Sequence, residues 1–113
     1  MRSVAILADD LTGALDTAAP FATEGAAIRI AWRAEDDDDA APMAFDTESR
    51  QVSARTAEGR VRTALPWLRD ADTSFKKLDS LLRGNTLAEL AVCARDGDFP
   101  RIVVAPAFPE QGR

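Results

Sequence analysis

The apolar positions of this chain fall into two recurring patterns, short unbroken runs and stripes at helical spacing. Ser3-Val4-Ala5-Ile6-Leu7-Ala8 is nearly continuous apolar sequence that breaks at Asp9-Asp10. That pattern predicts a strand covered on both faces, as in a parallel sheet. Ala14, Leu15, Ala18 and Ala22 follow at helical spacing, with Gly25 as a stop signal, so a first helix is expected there. Pro20 lacks an amide donor and should kink or shorten that helix. Ala27-Ile28-Arg29-Ile30-Ala31-Trp32 predicts a second strand, and Ala44-Phe45-Asp46 the end of a short third.

Ala57, Val61, Ala64, Leu65 and Leu68 share one stripe, which predicts a helix over 54–69, bent near Pro66. Thr73-Ser74-Phe75-Lys76-Lys77-Leu78 reads as the next strand. Thr86 and Glu89 have the spacing of a capping box, and Leu87, Leu90, Ala91 and Ala94 continue an apolar stripe as far as Gly97. Arg101-Ile102-Val103-Val104-Ala105 predicts one more buried strand. The order β-α-β-β-α-β-α-β specifies an α/β fold of three layers, a mostly parallel sheet with helices on both faces. The last predicted strand leads into a loop with no helix after it, so residues 1–113 are expected to be a truncated domain.

A chain of 113 residues fits one small domain. No apolar run approaches the roughly 20 residues of a membrane span, and the run after Met1-Arg2 ends in acids instead of a cleavage site. A cytoplasmic location without membrane attachment is the expectation. The single cysteine, Cys93, excludes an internal disulfide and is expected to serve helix packing. There is no histidine, so zinc chemistry and Ser-His or Cys-His catalysis drop out, and no metal ligand set is proposed. Proton transfer then falls to a carboxylate, a lysine or a substrate group.

The net charge of −5 argues against nucleic acid as a partner. Charge is uneven: residues 1–50 carry eleven acidic and four basic side chains, residues 51–113 eight and ten. The adjacent acids at 35–39 repel one another and read as a solvated loop, lacking the ligand spacing and turn glycine of a calcium loop.

Three polar clusters stand at the carboxyl ends of predicted strands: Asp9-Asp10-Leu11-Thr12-Gly13, Asp46-Thr47-Glu48-Ser49-Arg50, and the segment from Lys77 to Asn85. In open α/β sheets ligands bind along that edge, so distant clusters can converge on one ligand. Thr12 and Gly13 open a helix and offer amides to an anion. Asp9 and Asp10 suit hydroxyls or a proton, and because neighbours on a strand end point opposite ways, one of them should be structural. Arg50 and Arg83 supply forked donors for a carboxylate or phosphate, and Lys77 a point charge. Lys76 and Lys77 alternate across a strand, so one should be exposed. Asp79 has a local ion pair with Arg83 as its plainer role, and Asn85 a helix cap. The first turn has one glycine where a dinucleotide fingerprint needs three, and no Gly-x-x-x-x-Gly-Lys-Ser/Thr loop occurs.

Taken together, Leu7-Ala8-Asp9-Asp10-Leu11-Thr12-Gly13-Ala14, Asp46-Thr47-Glu48-Ser49-Arg50, Lys76-Lys77-Leu78-Asp79-Ser80-Leu81-Leu82-Arg83-Gly84-Asn85 and Val104-Ala105-Pro106-Ala107-Phe108-Pro109-Glu110-Gln111-Gly112-Arg113 resemble a known family in order and spacing. It is the sugar-binding N-terminal domain of the four-carbon acid sugar kinases. The resemblance spans nearly the whole chain and implies an incomplete Rossmann-like N-terminal domain. It further implies ATP-dependent phosphorylation of threonate, erythronate or 3-oxo-tetronate. ATP and Mg2+ would be held mainly by a separate C-terminal domain, and homo-oligomerisation stays open. Substrate-binding candidates are Asp9, Thr12, Gly13, Asp46, Ser49, Arg50, Lys77, Ser80, Arg83, Gly84 and Asn85, with Asp10 or Asp79 to orient or deprotonate the attacking hydroxyl. Glu48 stands where the family commonly has aspartate, Leu81 where it has threonine, and Pro20 is unusual in the first helix. Two other readings stay open from the residues: a non-catalytic sugar-acid binding module, and a truncated fragment without activity.

Overall fold

The computed structural model describes residues 2–25, 27–32 and 42–113. The acidic run at 35–39 lies outside the described residues. Strand β1 (Arg2–Ala8) leads into α1 (Leu11–Ala18), followed by β2 (Ile30–Ala31), β3 (Ala44–Asp46), α2 (Ala54–Arg69), β4 (Ala71–Lys76) and α3 (Thr86–Asp96). The sheet has the order β2-β3-β1-β4, and every pairing is parallel. Ile6 stands beside Ala44 on one side and Phe75 on the other, which fixes the register at the centre.

Alternation along β1 divides the core. Ile6 and Ala8 pack with Ala14 and Ala18 of α1 and Ala44 of β3 on one face. Ala5 and Leu7 pack on the other face with Val61, Ala64, Leu65 and Leu68 of α2 and Val92 and Cys93 of α3. This is the expected three-layer α/β arrangement. The chain passes from β1 to β2 and β3 on one side, then crosses to β4 on the other. β1 is therefore the switch point, the place on an open α/β sheet where ligands generally bind.

Several expectations need correction. α1 stops at Ala18 because Pro20 opens a short 3-10 turn, Ala19–Phe21, and Leu15 and Ala22 are exposed. The inward face of α3 is Thr86, Glu89, Val92 and Cys93, whereas Leu87 is 78% exposed. The face is rotated because Glu89 turns into the protein instead of back toward the helix start, so no capping box forms. The run at 101–105 is not a strand. Its residues are exposed along a cleft of about 580 Å3 beside β4, Leu68 and Phe99. Val103 is 81% exposed, and an apolar run with nothing over its outer face lacks the cover that places a strand inside a parallel sheet. Neither Lys76 nor Lys77 is exposed, since β4 ends at Lys76, which turns inward, and Lys77 lies against the first turn.

Candidate functional site

The carboxyl ends of β1, β3 and β4 carry the site. Past β1, Asp10 is extended and caps α1, its Oδ1 accepting from the Gly13 amide at 2.9 Å. Asp9, one residue earlier, is buried. Past β3, the backbone of residues 47–50 stays beside β1: Thr47 N donates to Ala8 O, and Ser49 N and Arg50 N both donate to Asp9 O. This brings the Arg50 guanidinium over the end of β1. Its Nη2 is 3.0 Å from Asp9 Oδ1 and 3.9 Å from Asp79 Oδ1, and its Nη1 is 3.1 Å from Asp10 Oδ2. One cation thus joins the two carboxylates that follow β1 and one from the loop after β4.

That loop wraps its own anion. The Leu81 and Arg83 amides both donate to Asp79 Oδ2 at 3.1 Å, and the Arg83 fork closes on the same carboxylate at 2.9 and 2.7 Å. Leu82 and Gly84 adopt positive φ of 56° and 80° to aim those amides inward. Gly84 is required for a second reason: a Cβ there would lie 2.9 Å from Arg50 Cγ and 3.1 Å from Asp9 Oδ2. Lys77 passes over Gly13, whose added Cβ would meet Lys77 Cγ at 3.4 Å, and its Nζ donates to Leu78 O at 2.7 Å.

The electrostatics follow from these contacts. The Arg83 fork holds the Asp79 carboxyl well below the usual carboxylate range, against the opposing effect of burial. Burial disfavours the Arg50 charge, but the bond to Asp9 and the fields of Asp9, Asp10 and Asp79 outweigh it and raise that group above its ordinary value. Asp46 is buried, and desolvation pushes its carboxyl upward despite the 2.7 Å bond from the Glu48 amide.

Every candidate has a place. Asp9, Asp10, Arg50, Asp79, Arg83 and Gly84 meet directly, with Lys77 and Gly13 beside them. Thr12 is exposed on the first turn of α1, and Ser80 accepts from Arg113 Nη1 at 2.9 Å. Ser49 and Asp46 lie beneath the surface and shape the loop. Asn85 occupies the helix start, but its side chain donates to Ser49 O and Val52 O, both at 2.9 Å, and so ties the β3 loop to α3.

The sugar-binding N-terminal domain profile matches residues 4–113. The chain belongs to this family. It is 39% identical over 115 residues to a D-threonate kinase of Cupriavidus necator, covering 96% of this chain and 27% of that protein. A D-threonate kinase of Salmonella typhimurium is 35% identical over 113 residues, with 96% and 27% covered. One from Bordetella bronchiseptica is 38% identical over 120 residues, with 97% and 30% covered. The chain thus spans 27% to 30% of the length of these relatives. No solved structure matches it.

ATP and Mg2+ find no matching seat in the turn that opens α1. The Gly13 amide at the α1 start is already bonded to Asp10, and the carboxylates beside it are held by Arg50 and Arg83. A triphosphate at that turn would meet Asp9, Asp10 and Asp79 and a Gly13 amide already taken by Asp10, so the charge of this cluster does not fit the nucleotide. Among the described residues no group of acids, histidines or cysteines could hold a metal ion, and no helix is long and apolar enough to cross a membrane.

Sequence reasoning missed two supports. Arg60 of α2 donates from Nη1 to Thr47 O and Glu48 O at 3.2 and 2.8 Å, holding Glu48 at a φ of 51°. Glu89 and Lys76 form a buried pair at 3.0 Å under the loops. A basic residue on the exposed side of a helix and a glutamate at capping spacing carried no signal for either role.

Proposed function

We propose that this chain is the acid-binding part of an ATP-dependent kinase acting on a four-carbon sugar acid, D-threonate being the first candidate. The observation that carries this reading is the convergence of Asp10, Arg50, Lys77, Asp79 and Arg83 at the switch point of the sheet. The family of the domain and the D-threonate kinases similar to it supply the substrate class. A threonate ion offers a carboxylate for Arg83 or Lys77 and hydroxyls for the aspartates. In this reading ATP and Mg2+ are held outside residues 1–113, and these residues bind and orient the acid.

Asp10 is the group we assign to the attacking hydroxyl. Its side chain is 30% exposed against 6% for Asp9 and 7% for Asp79, and one of its oxygens faces Arg50 while the other caps α1. Asp79 has both oxygens taken by Arg83 and serves to aim that arginine. The test uses the protein that carries this chain. Asp10→Asn is expected to keep D-threonate binding within a few-fold in a calorimetric titration and to lower D-threonate-dependent ATP consumption by about 100-fold or more. Wild-type binding without ATP consumption would turn the protein into a binding module. Absence of binding would remove the sugar-acid assignment.

A further inference from the structure

Glu89 is completely buried, one helical turn into α3, on the face that otherwise presents Val92 and Cys93 to the core. An apolar side chain would pack that face without any cost of removing a charge from water. The carboxylate instead has two partners: Lys76 Nζ forms an ion pair 3.0 Å from Oε1 without the alignment of a hydrogen bond, and Ser49 Oγ donates to Oε2 at 3.0 Å. Lys76 is the last residue of β4, directly before Lys77. Ser49 directly precedes Arg50.

The chain of contacts continues to the third strand. Ser49 Oγ is 2.6 Å from Thr47 Oγ1, which is in turn 3.1 Å from Ala8 O, the last residue of β1 before Asp9. Glu89 also fixes the sense of this chain. Its oxygen takes the Ser49 proton, which leaves Ser49 as acceptor for Thr47, whose single proton is shared with Ala8 O. The line Lys76-Glu89-Ser49-Thr47-Ala8 therefore ties the three strand ends together, in each case at or next to the residue preceding a site side chain.

We infer that Glu89, with Lys76 as counter-ion, is a positioning residue for the acid site, setting Arg50 against Asp9 and Asp10 by holding Ser49 from below. The binding consequence rests on the sugar-acid reading above; the positioning itself does not.

The test compares the double variant Lys76→Met/Glu89→Leu with Ser49→Ala in the protein carrying this chain. Replacing a buried ion pair by apolar residues of similar volume commonly leaves a fold as stable as before. The double variant is therefore expected to melt near the wild type, while amide hydrogen exchange at residues 47–50 rises about tenfold and D-threonate binding weakens about tenfold. Ser49→Ala is expected to give the same two changes with no stranded charge, and to add little when combined with the double variant. Wild-type exchange at 47–50 and wild-type affinity in a stable double variant would overturn the inference and leave Glu89 a core residue only. If the double variant does not fold, Ser49→Ala decides alone, and unchanged exchange at 47–50 would overturn the inference. Absence of D-threonate binding by the wild type would strike the sugar-acid reading, and the exchange measurement would still judge the positioning.

Discussion

Gly84→Ala tests the close approach on which the site depends, because two other glycines supply controls. Gly25, Gly84 and Gly112 all have positive φ, of 85°, 80° and 68°, so alanine at any of them meets the same backbone penalty. That penalty is about 1–2 kcal/mol, offset by about 0.4–1 kcal/mol from a less flexible unfolded chain. The surroundings differ: a Cβ at Gly25 or Gly112 meets nothing within 4 Å, whereas at Gly84 it meets Arg50 Cγ at 2.9 Å, Asp9 Oδ2 at 3.1 Å and Arg50 Cα at 3.3 Å. One of those atoms is backbone, so the loop must shift, adding the roughly 1–3 kcal/mol typical of overpacking. The expected loss is about 1 kcal/mol for each control and about 2–4 kcal/mol for Gly84→Ala. At about 4 °C per kcal/mol for a domain of this size, thermal melts should fall by ~4 °C and ~8–16 °C respectively. D-threonate titration should show binding lost for Gly84→Ala alone. Equal melting shifts for all three variants would refute the reasoning, since the contact with Arg50 would then contribute nothing.

Two further outcomes follow from single contacts. Asn85→Ala removes two 2.9 Å bonds that hold the carbonyls of Ser49 and Val52, and should lower stability by about 2 kcal/mol, read by denaturant titration with an unchanged slope; a loss below about 0.5 kcal/mol would mean that water satisfies those carbonyls equally well. The Asp79 carboxyl is held below its ordinary value of 3.8, so its contribution to stability is complete above that value and is lost as pH falls below it. The gap in melting temperature between wild type and Asp79→Asn should be level near neutral pH and close below about pH 4. Asp46, shifted the opposite way, is present in both proteins and cancels; a gap that persists unchanged to pH 3 would count against the ion pair.

The elements whose sequence pattern matched their surroundings were legible. The stripe from Ala57 to Leu68 and the run from Val4 to Ala8 are apolar because both face the core, and α2 and β1 formed where periodicity placed them. The three site clusters were legible for a topological reason, since parallel strands must deliver their carboxyl ends to one edge. What failed were places where a polar group does the packing or an apolar group lacks cover. Glu89 faces inward while Leu87 faces water, an inversion that hydrophobicity reads backwards because the partners, Lys76 and Ser49, are 13 and 40 positions away. Ile102, Val103 and Val104 have strand composition and no strand, since composition does not report what lies over a face. Local spacing suggested the Asp79–Arg83 pair, but not that the amides of Leu81 and Arg83 close on the same oxygen.

That closure bears on how the site would recognise an acid in the sugar-acid reading. Arg50 and Arg83 are already paired with Asp9, Asp10 and Asp79, and the amides of Gly13, Leu81 and Arg83 already serve Asp10 and Asp79. In the sugar-acid reading, a carboxylate that reaches these arginines exchanges with an aspartate already there. The contact open to such exchange is at Arg83, whose side chain is 59% exposed and whose partner Asp79 keeps two backbone amides when the fork leaves. Arg50 is 23% exposed and braced by Asp9 and Asp10, so it serves as fixed framework. On the sugar-acid reading proposed above, the arrangement would favour an anion over a neutral polyol of the same length, because only an anion can replace what Arg83 gives up. On that reading Arg83 would hold the acid end of the ligand on the loop after β4, leaving its hydroxyls to reach toward Asp10 at the end of β1.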